Sequence, residues 1–125
     1  MANPNIAAVS AIYGNTFTSL LTTTSATEIV SNAASSGKVY KINSIVVANI
    51  DGTSAVDITI NLYSAAAIGG TATAIASTIS VPADSTLIVT DKTTSFYLLE
   101  NKSIGAIASV ANDLVVTASW EEINS

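Results

Sequence analysis

Val56-Asp57-Ile58-Thr59-Ile60-Asn61-Leu62-Tyr63 decides the fold class. Val56, Ile58, Ile60 and Leu62 take every second position, and Asp57, Thr59, Asn61 and Tyr63 take the others, which is the period-two pattern of a strand with one face buried. Upstream, Tyr40, Ile42, Val46, Ala48 and Ile50 share one parity while Lys41, Asn43 and Asn49 take the other. Asp51-Gly52 is a turn pair, so the two segments are expected to form a hairpin. Ile45 and Val47 fall on the polar parity. That predicts an apolar pair on the outer face of the strand or in a second contact.

Downstream of Gly69-Gly70, Ile75, Ile79 and Val81 alternate with small and hydroxyl residues up to the turn Pro82-Ala83-Asp84-Ser85. Thr86–Thr90, Phe96–Leu99 and Ser103–Val110 are further short runs, separated by polar segments. In the last run Leu114, Val116, Ala118 and Trp120 share one side, which predicts Trp120 as a core anchor. Short strands at this spacing specify an all-β sandwich or barrel. Towards the amino terminus Ile6, Val9, Ile12 and Tyr13 fit a helical spacing between Pro4 and Gly14. The β-branched stretch Thr16–Thr24 disfavours a helix, so residues 1–14 are read as an arm or first strand, with a strand near Thr27–Ser31 and a sandwich domain over 15–125.

Composition removes most chemistry. The 125 residues include no His, no Cys and no Arg, and only 13 charged side chains, four of them Lys, for a formal net charge of −5. Imidazole bases, thiolate nucleophiles and the common zinc sites are excluded, so the chain is read as a non-enzyme without cofactor or metal. Four lysines under net negative charge make no track for nucleic acid. Ala, Ser and Thr make up 53 of the 125 residues, yet mean hydropathy is +0.52. Low charge with that hydropathy points either to surface covered by other subunits or to ordinary Ala- and Thr-rich outer strand faces. The uncharged stretches 1–27 and 58–83 are interrupted by Asn, Pro, Gly and hydroxyl residues, and no cationic start of a secretory signal is present, so no membrane partner is expected.

The remaining candidates read as structural. Glu121 and Glu122 are adjacent, so in a strand they face opposite ways. Asp51, Asp84, Asp91 and Asp113 sit at turns, where aspartate binds neighbouring backbone, and no calcium-loop pattern joins them. Lys38 and Lys41 suit edge protection. Tyr13, Tyr40, Tyr63, Tyr97 and Trp120 are the aromatic residues available for stacking a sugar, although three of them read as core positions or strand ends. Ile6, Val9, Ile12 and Tyr13, in a segment without charge, are candidates for docking on a neighbour, as are Ile45 and Val47.

Gly37-Lys38-Val39-Tyr40-Lys41-Ile42-Asn43, Val81-Pro82-Ala83-Asp84-Ser85-Thr86, Tyr97-Leu98-Leu99-Glu100 with Ser103-Ile104, and Leu114 to Ile123 occur in that order. This set resembles the small virion structural proteins of tailed phages, especially those infecting cyanobacteria, over residues 6 to 123. Lys102 stands where the family carries an acidic residue, and Trp120 where it more often carries Tyr. The resemblance implies an antiparallel β-sandwich, jelly-roll-like, of about eight strands. It further implies a capsid decoration or cement protein on the outer surface of the shell, with the major capsid protein as partner and a homotrimer as the assembled form. Synthesis in the host cytoplasm and residence in the virion follow from the same resemblance. A tail, neck or fibre component with an adhesive or glycan-binding role is the alternative.

Overall fold

The computed structural model describes residues 4–124. Nine strands form: β1 (Ala11–Leu20), β2 (Thr27–Asn32), β3 (Lys38–Asn49), β4 (Val56–Ala65), β5 (Gly69–Val81), β6 (Thr86–Thr90), β7 (Phe96–Leu98), β8 (Lys102–Ala108) and β9 (Leu114–Asn124). One sheet, here sheet A, runs β1-β9-β3-β6 with β7 also paired to β3; the other, sheet B, runs β2-β8-β4-β5. All pairings are antiparallel. With β7 set aside, β1 pairs β9, β2 pairs β8, β3 pairs β6 and β4 pairs β5, as in a long hairpin folded over on itself. That is a jelly roll.

The core lies between the sheets. Ile58, Ile60, Ile104, Ala106 and Ala108 from sheet B meet Ile42, Ile45, Val47, Leu114, Val116 and Ala118 from sheet A, closed by Leu21, Val56, Val81 and Leu98. At roughly 1.5–3 kcal/mol per fully buried Val, Leu or Ile side chain, this layer is the main favourable contribution to folding. Two buried asparagines join the sheets at opposite ends of β3. Asn32 donates through Nδ2 to the carbonyls of Lys38 (2.9 Å) and Leu98 (3.1 Å). Asn49 donates to those of Ser54 and Val81, both at 2.9 Å, and its Oδ1 accepts from the Asp51 amide. Each side chain thus satisfies carbonyls where the chain crosses between layers.

Two expectations are corrected. β3 and β4 do not form a hairpin: Asp51-Gly52 lies on a crossover between sheets, and the tight hairpin is β4–β5, turning at Ala66–Ile68 with Ala67 and Ile68 at positive φ. Ile45 and Val47 are fully buried in the core and not on the outer face. The cause is a bulge in β3, where the register to β9 shifts between Ile42 and Ser44, so the inward set is Ile42 before the bulge and Ile45, Val47 and Asn49 after it. The nine strands agree with the expected number of about eight; η1 (Lys92–Thr94), a single 3-10 turn with a capping box on Asp91, divides β6 from the three-residue β7.

Candidate assembly surfaces

Directly opposed residues in a sheet share a face, so the registers lay out the outer side of sheet A row by row. Leu20, Val115, Ala48 and Thr86 form one row; Thr18, Thr117, Val46 and Ile88 the next; Thr16, Ser119 and Ser44 a third. The hydroxyls of Thr18 and Thr117 meet at 2.9 Å across the second row. None of these eleven residues is charged. Leu20 and Ile88 are exposed, as is Ile50 beyond the end of β3. The following row, Gly14, Glu121, Lys41 and Tyr97, carries opposite charges; beyond it Ile12, Ile123 and Val39 form a last, apolar outer row, and on the inner side of this end Lys38 pairs with Glu122 at 3.2 Å. Charge on this sheet is therefore gathered at one end, leaving the other end neutral.

Trp120 stands on the inner side of the charged end. It is half-buried, packed against the core, and stacked on Tyr40 with ring centroids 6.2 Å apart. Burial pushes the Tyr40 phenol above its ordinary value, and the neighbouring Glu122 carboxylate pushes it the same way. The indole N–H of Trp120 is buried without an acceptor.

One end of the outer side of sheet B is covered by its own hairpin. Ser31 Oγ accepts from the Ala67 amide at 3.0 Å, Ser103 Oγ accepts from Ile68 at 2.8 Å and donates to the Ala65 carbonyl at 2.7 Å. Tyr63 and Ile68 lie over Gly105, where a Cβ would stand 2.9 Å from the Tyr63 ring and 3.0 Å from Ile68. A shallow groove of about 200 Å³ beside this hairpin is lined by Leu62, Tyr63, Ser64, Thr71, Thr73 and Lys102, with Lys102 Nζ held to the Ser64 carbonyl at 3.2 Å.

The docking candidates are dispersed. Ile12 and Tyr13 are exposed on β1, Ile6 is exposed and Val9 half-buried in the segment before it, and Ile45 and Val47 belong to the core. Residues 1–3 lie outside the described residues. Ala11–Gly14 pair with β9, while Asn5–Ala8 form a turn closed by the Ala8 amide on the Asn5 carbonyl. The aromatic residues make no platform: Tyr63 is buried, Tyr40 is stacked on Trp120, and Tyr13 and Tyr97 stand on strands separated by β9 and β3. The turn aspartates are engaged locally. Asp51 Oδ1 accepts from the Thr53 amide and hydroxyl, both at 2.9 Å, and Asp91 Oδ1 from those of Thr93 at 3.0 and 2.6 Å. Sequence reading passed over Ser35-x-x-Lys38, a nucleophile-and-lysine spacing; Ser35 is on an exposed turn and Lys38 is engaged by Glu122.

No protein-family model matches this chain, and no curated protein does. Among solved structures it is similar to a chain of Bacillus endospore appendages, a family of disulfide-linked pili, at 19% identity over 99% of this chain and 100% of that one, with a TM-score of 0.54. The likeness is one of fold. With no cysteine, the present chain cannot form such links. Infectious bursal disease virus, Gx strain, matches at 12% identity over 91% of this chain and 33% of that chain, TM-score 0.49. The capsid asymmetric unit of cyanophage Pam1 matches at 13% over 100% and 93%, TM-score 0.35. Among the described residues no helix is long and apolar enough to cross a membrane.

Proposed function

We propose that this chain is a non-enzymatic virion structural protein of a tailed phage, a decoration or cement protein that binds the outer surface of the capsid shell, with the major capsid protein as its partner and three copies as its assembled form. The observation that carries the reading is the uncharged half of the outer face of sheet A, the rows from Thr16 and Leu20 across to Ile88. Depletion of Lys, Glu and Asp is the compositional mark of the centre of a protein interface. The small and β-branched side chains there lie close to the backbone and permit near approach of a second surface, while the threonine hydroxyls supply hydrogen bonds to it. The sequence resemblance to phage virion proteins supports the choice of partner.

Ile88→Lys and Thr18→Lys test it, since both side chains are exposed and their replacement leaves the core intact. Mixed with shells stripped of this protein and sedimented, the wild type is expected to pellet in copies comparable with the capsid lattice, and each lysine variant to stay in the supernatant with its melting temperature unchanged. Wild-type protein that fails to bind stripped shells, or a copy number of only a few per virion, overturns the decoration role; the second result favours a tail, neck or fibre part.

A further inference from the structure

Four edges bound the two sheets, and three of them carry the devices that keep an exposed edge from pairing. β2 is six residues long, bulged between Glu28 and Val30, and bears the Glu28 charge. β5 is long, but its pairing with β4 is broken by bulges around Ile75 and Ser77–Thr78, the latter with Thr78 at φ 45°. The β6/β7 edge comes in pieces of five and three residues, parted by the Asp91–Ser95 turn.

β1 has none of these. Its ten residues, Ala-Ile-Tyr-Gly-Asn-Thr-Phe-Thr-Ser-Leu, hold one unbroken register with β9, with no charge, no proline and no bulge. In an antiparallel ladder alternate residues turn their N–H and C=O groups away from the neighbour, so the open side of β1 offers a row of donors and acceptors about 34 Å long.

We propose that this edge pairs antiparallel with β1 of a second copy, about a two-fold axis through Thr16, so that two A sheets become one. For the faces to continue across the seam, even-numbered residues must oppose even-numbered ones. Centring on Thr16 sets Ile12 opposite Leu20 of the other copy and Gly14 opposite Thr18 on the outer face, with Tyr13 opposite Ser19 and Asn15 opposite Phe17 on the inner. The exposed apolar residues Ile12 and Leu20 are each covered, twice over by symmetry, whereas centring on Asn15 would leave Leu20 against Ser10.

The occupant is a second copy because the strand complements itself. Its apolar outer residues lie four positions on either side of a small polar centre, and no charge opposes its symmetry mate. The contact is isologous and closes at two copies, so it joins chains of different three-copy groups and not the three chains of one group. Its hydrogen bonds run along the edge, and it is read on the free protein without shells, so its failure is distinguishable from a failure of capsid binding.

The chain has no cysteine, so Thr16→Cys introduces a single thiol. Directly opposed Cα atoms in either kind of antiparallel pair are about 4.5–5.5 Å apart, within disulfide reach. Under mild oxidant this variant is expected to cross-link into dimers about tenfold or more faster than Thr86→Cys, a likewise exposed control on β6, because paired strands hold the two thiols at high effective concentration. Thr16→Lys and Thr16→Glu should each sediment as the smaller species, and their equimolar mixture should restore the wild-type association. Cross-linking of Thr16→Cys no faster than of the control, or a Thr16→Lys variant that associates as the wild type does, overturns the pairing.

Discussion

Over sheet B, Tyr63 and Ile68 lie across Gly105 and the serine hydroxyls of Ser31 and Ser103 take up the backbone of the β4–β5 hairpin. Over the neutral half of sheet A, Thr18, Leu20 and Ile88 stand in solvent. The chain uses its own loop to cover one end of the outer side of sheet B and leaves sheet A open at the end from which charge has been withdrawn. A region closed by its own chain serves stability, while an uncharged open region is available to a partner, so these two regions divide the tasks.

That division can be broken from either side, and the largest effect is expected where sheet A meets the core. Trp120→Ala removes a large ring packed on the core and on Tyr40 and should cost about 3 kcal/mol in a urea titration, the lower end for such truncations because the ring is only half-buried. In the wild type the folded-state emission of Trp120 should lie to the blue of free tryptophan; emission at the free value would place the indole in solvent.

Next comes the closed end of sheet B. Gly105→Val drives a side chain into Tyr63 and Ile68 and into the Thr27 carbonyl, and overpacking there should cost about 2 kcal/mol, read as a lower urea midpoint. Ser103→Ala, which takes the bonds from Ile68 and to Ala65 out of a buried site, should cost about 1–2 kcal/mol. Hydrogen exchange at the Ile68 amide would rise in this variant, and an unchanged rate would show that the hydroxyl does not hold the hairpin down.

The smallest effect is acid sensitivity, and it is confined to loops. Asp51 is held below the ordinary aspartate value of 3.8, first by the Thr53 amide and then by its hydroxyl; Asp91 likewise by the Thr93 hydroxyl and then its amide. A carboxyl that is harder to protonate in the folded chain contributes stability above the unfolded value, and that contribution is lost as pH falls through the lower folded values. Melting temperature is therefore expected to decline below about pH 4, with Asp51→Asn and Asp91→Asn each flattening the decline slightly, because both carboxylates lie in surface turns.

What could be read from the residues depended on how local the cause was. β4 was legible because Val56, Ile58 and Ile60 all point into one core with no interruption on that strand, and β9 was legible over Leu114, Val116 and Ala118 for the same reason. β3 was not, since the bulge at Asn43 reverses the parity and sends Ile45 and Val47 inward; nothing in Asn43-Ser44 distinguishes a bulge from a regular step. Gly105 carried no visible signal, because its lack of a side chain matters only where Tyr63 and Ile68 cross it.

By itself the chain determined that it would be all-β, that it would run in short strands, and that imidazole, thiol and guanidinium chemistry were closed to it, because alternation and composition are properties of neighbouring residues and of residue types. Only the tertiary structure decided which strands share a sheet, that Asp51-Gly52 crosses between layers where Ala66–Ile68 turns a hairpin, and that neutral residues from β1, β9, β3 and β6 meet on one face. Those residues lie up to about a hundred positions apart in the chain, and a face assembled by pairing over such separations has no local pattern to announce it.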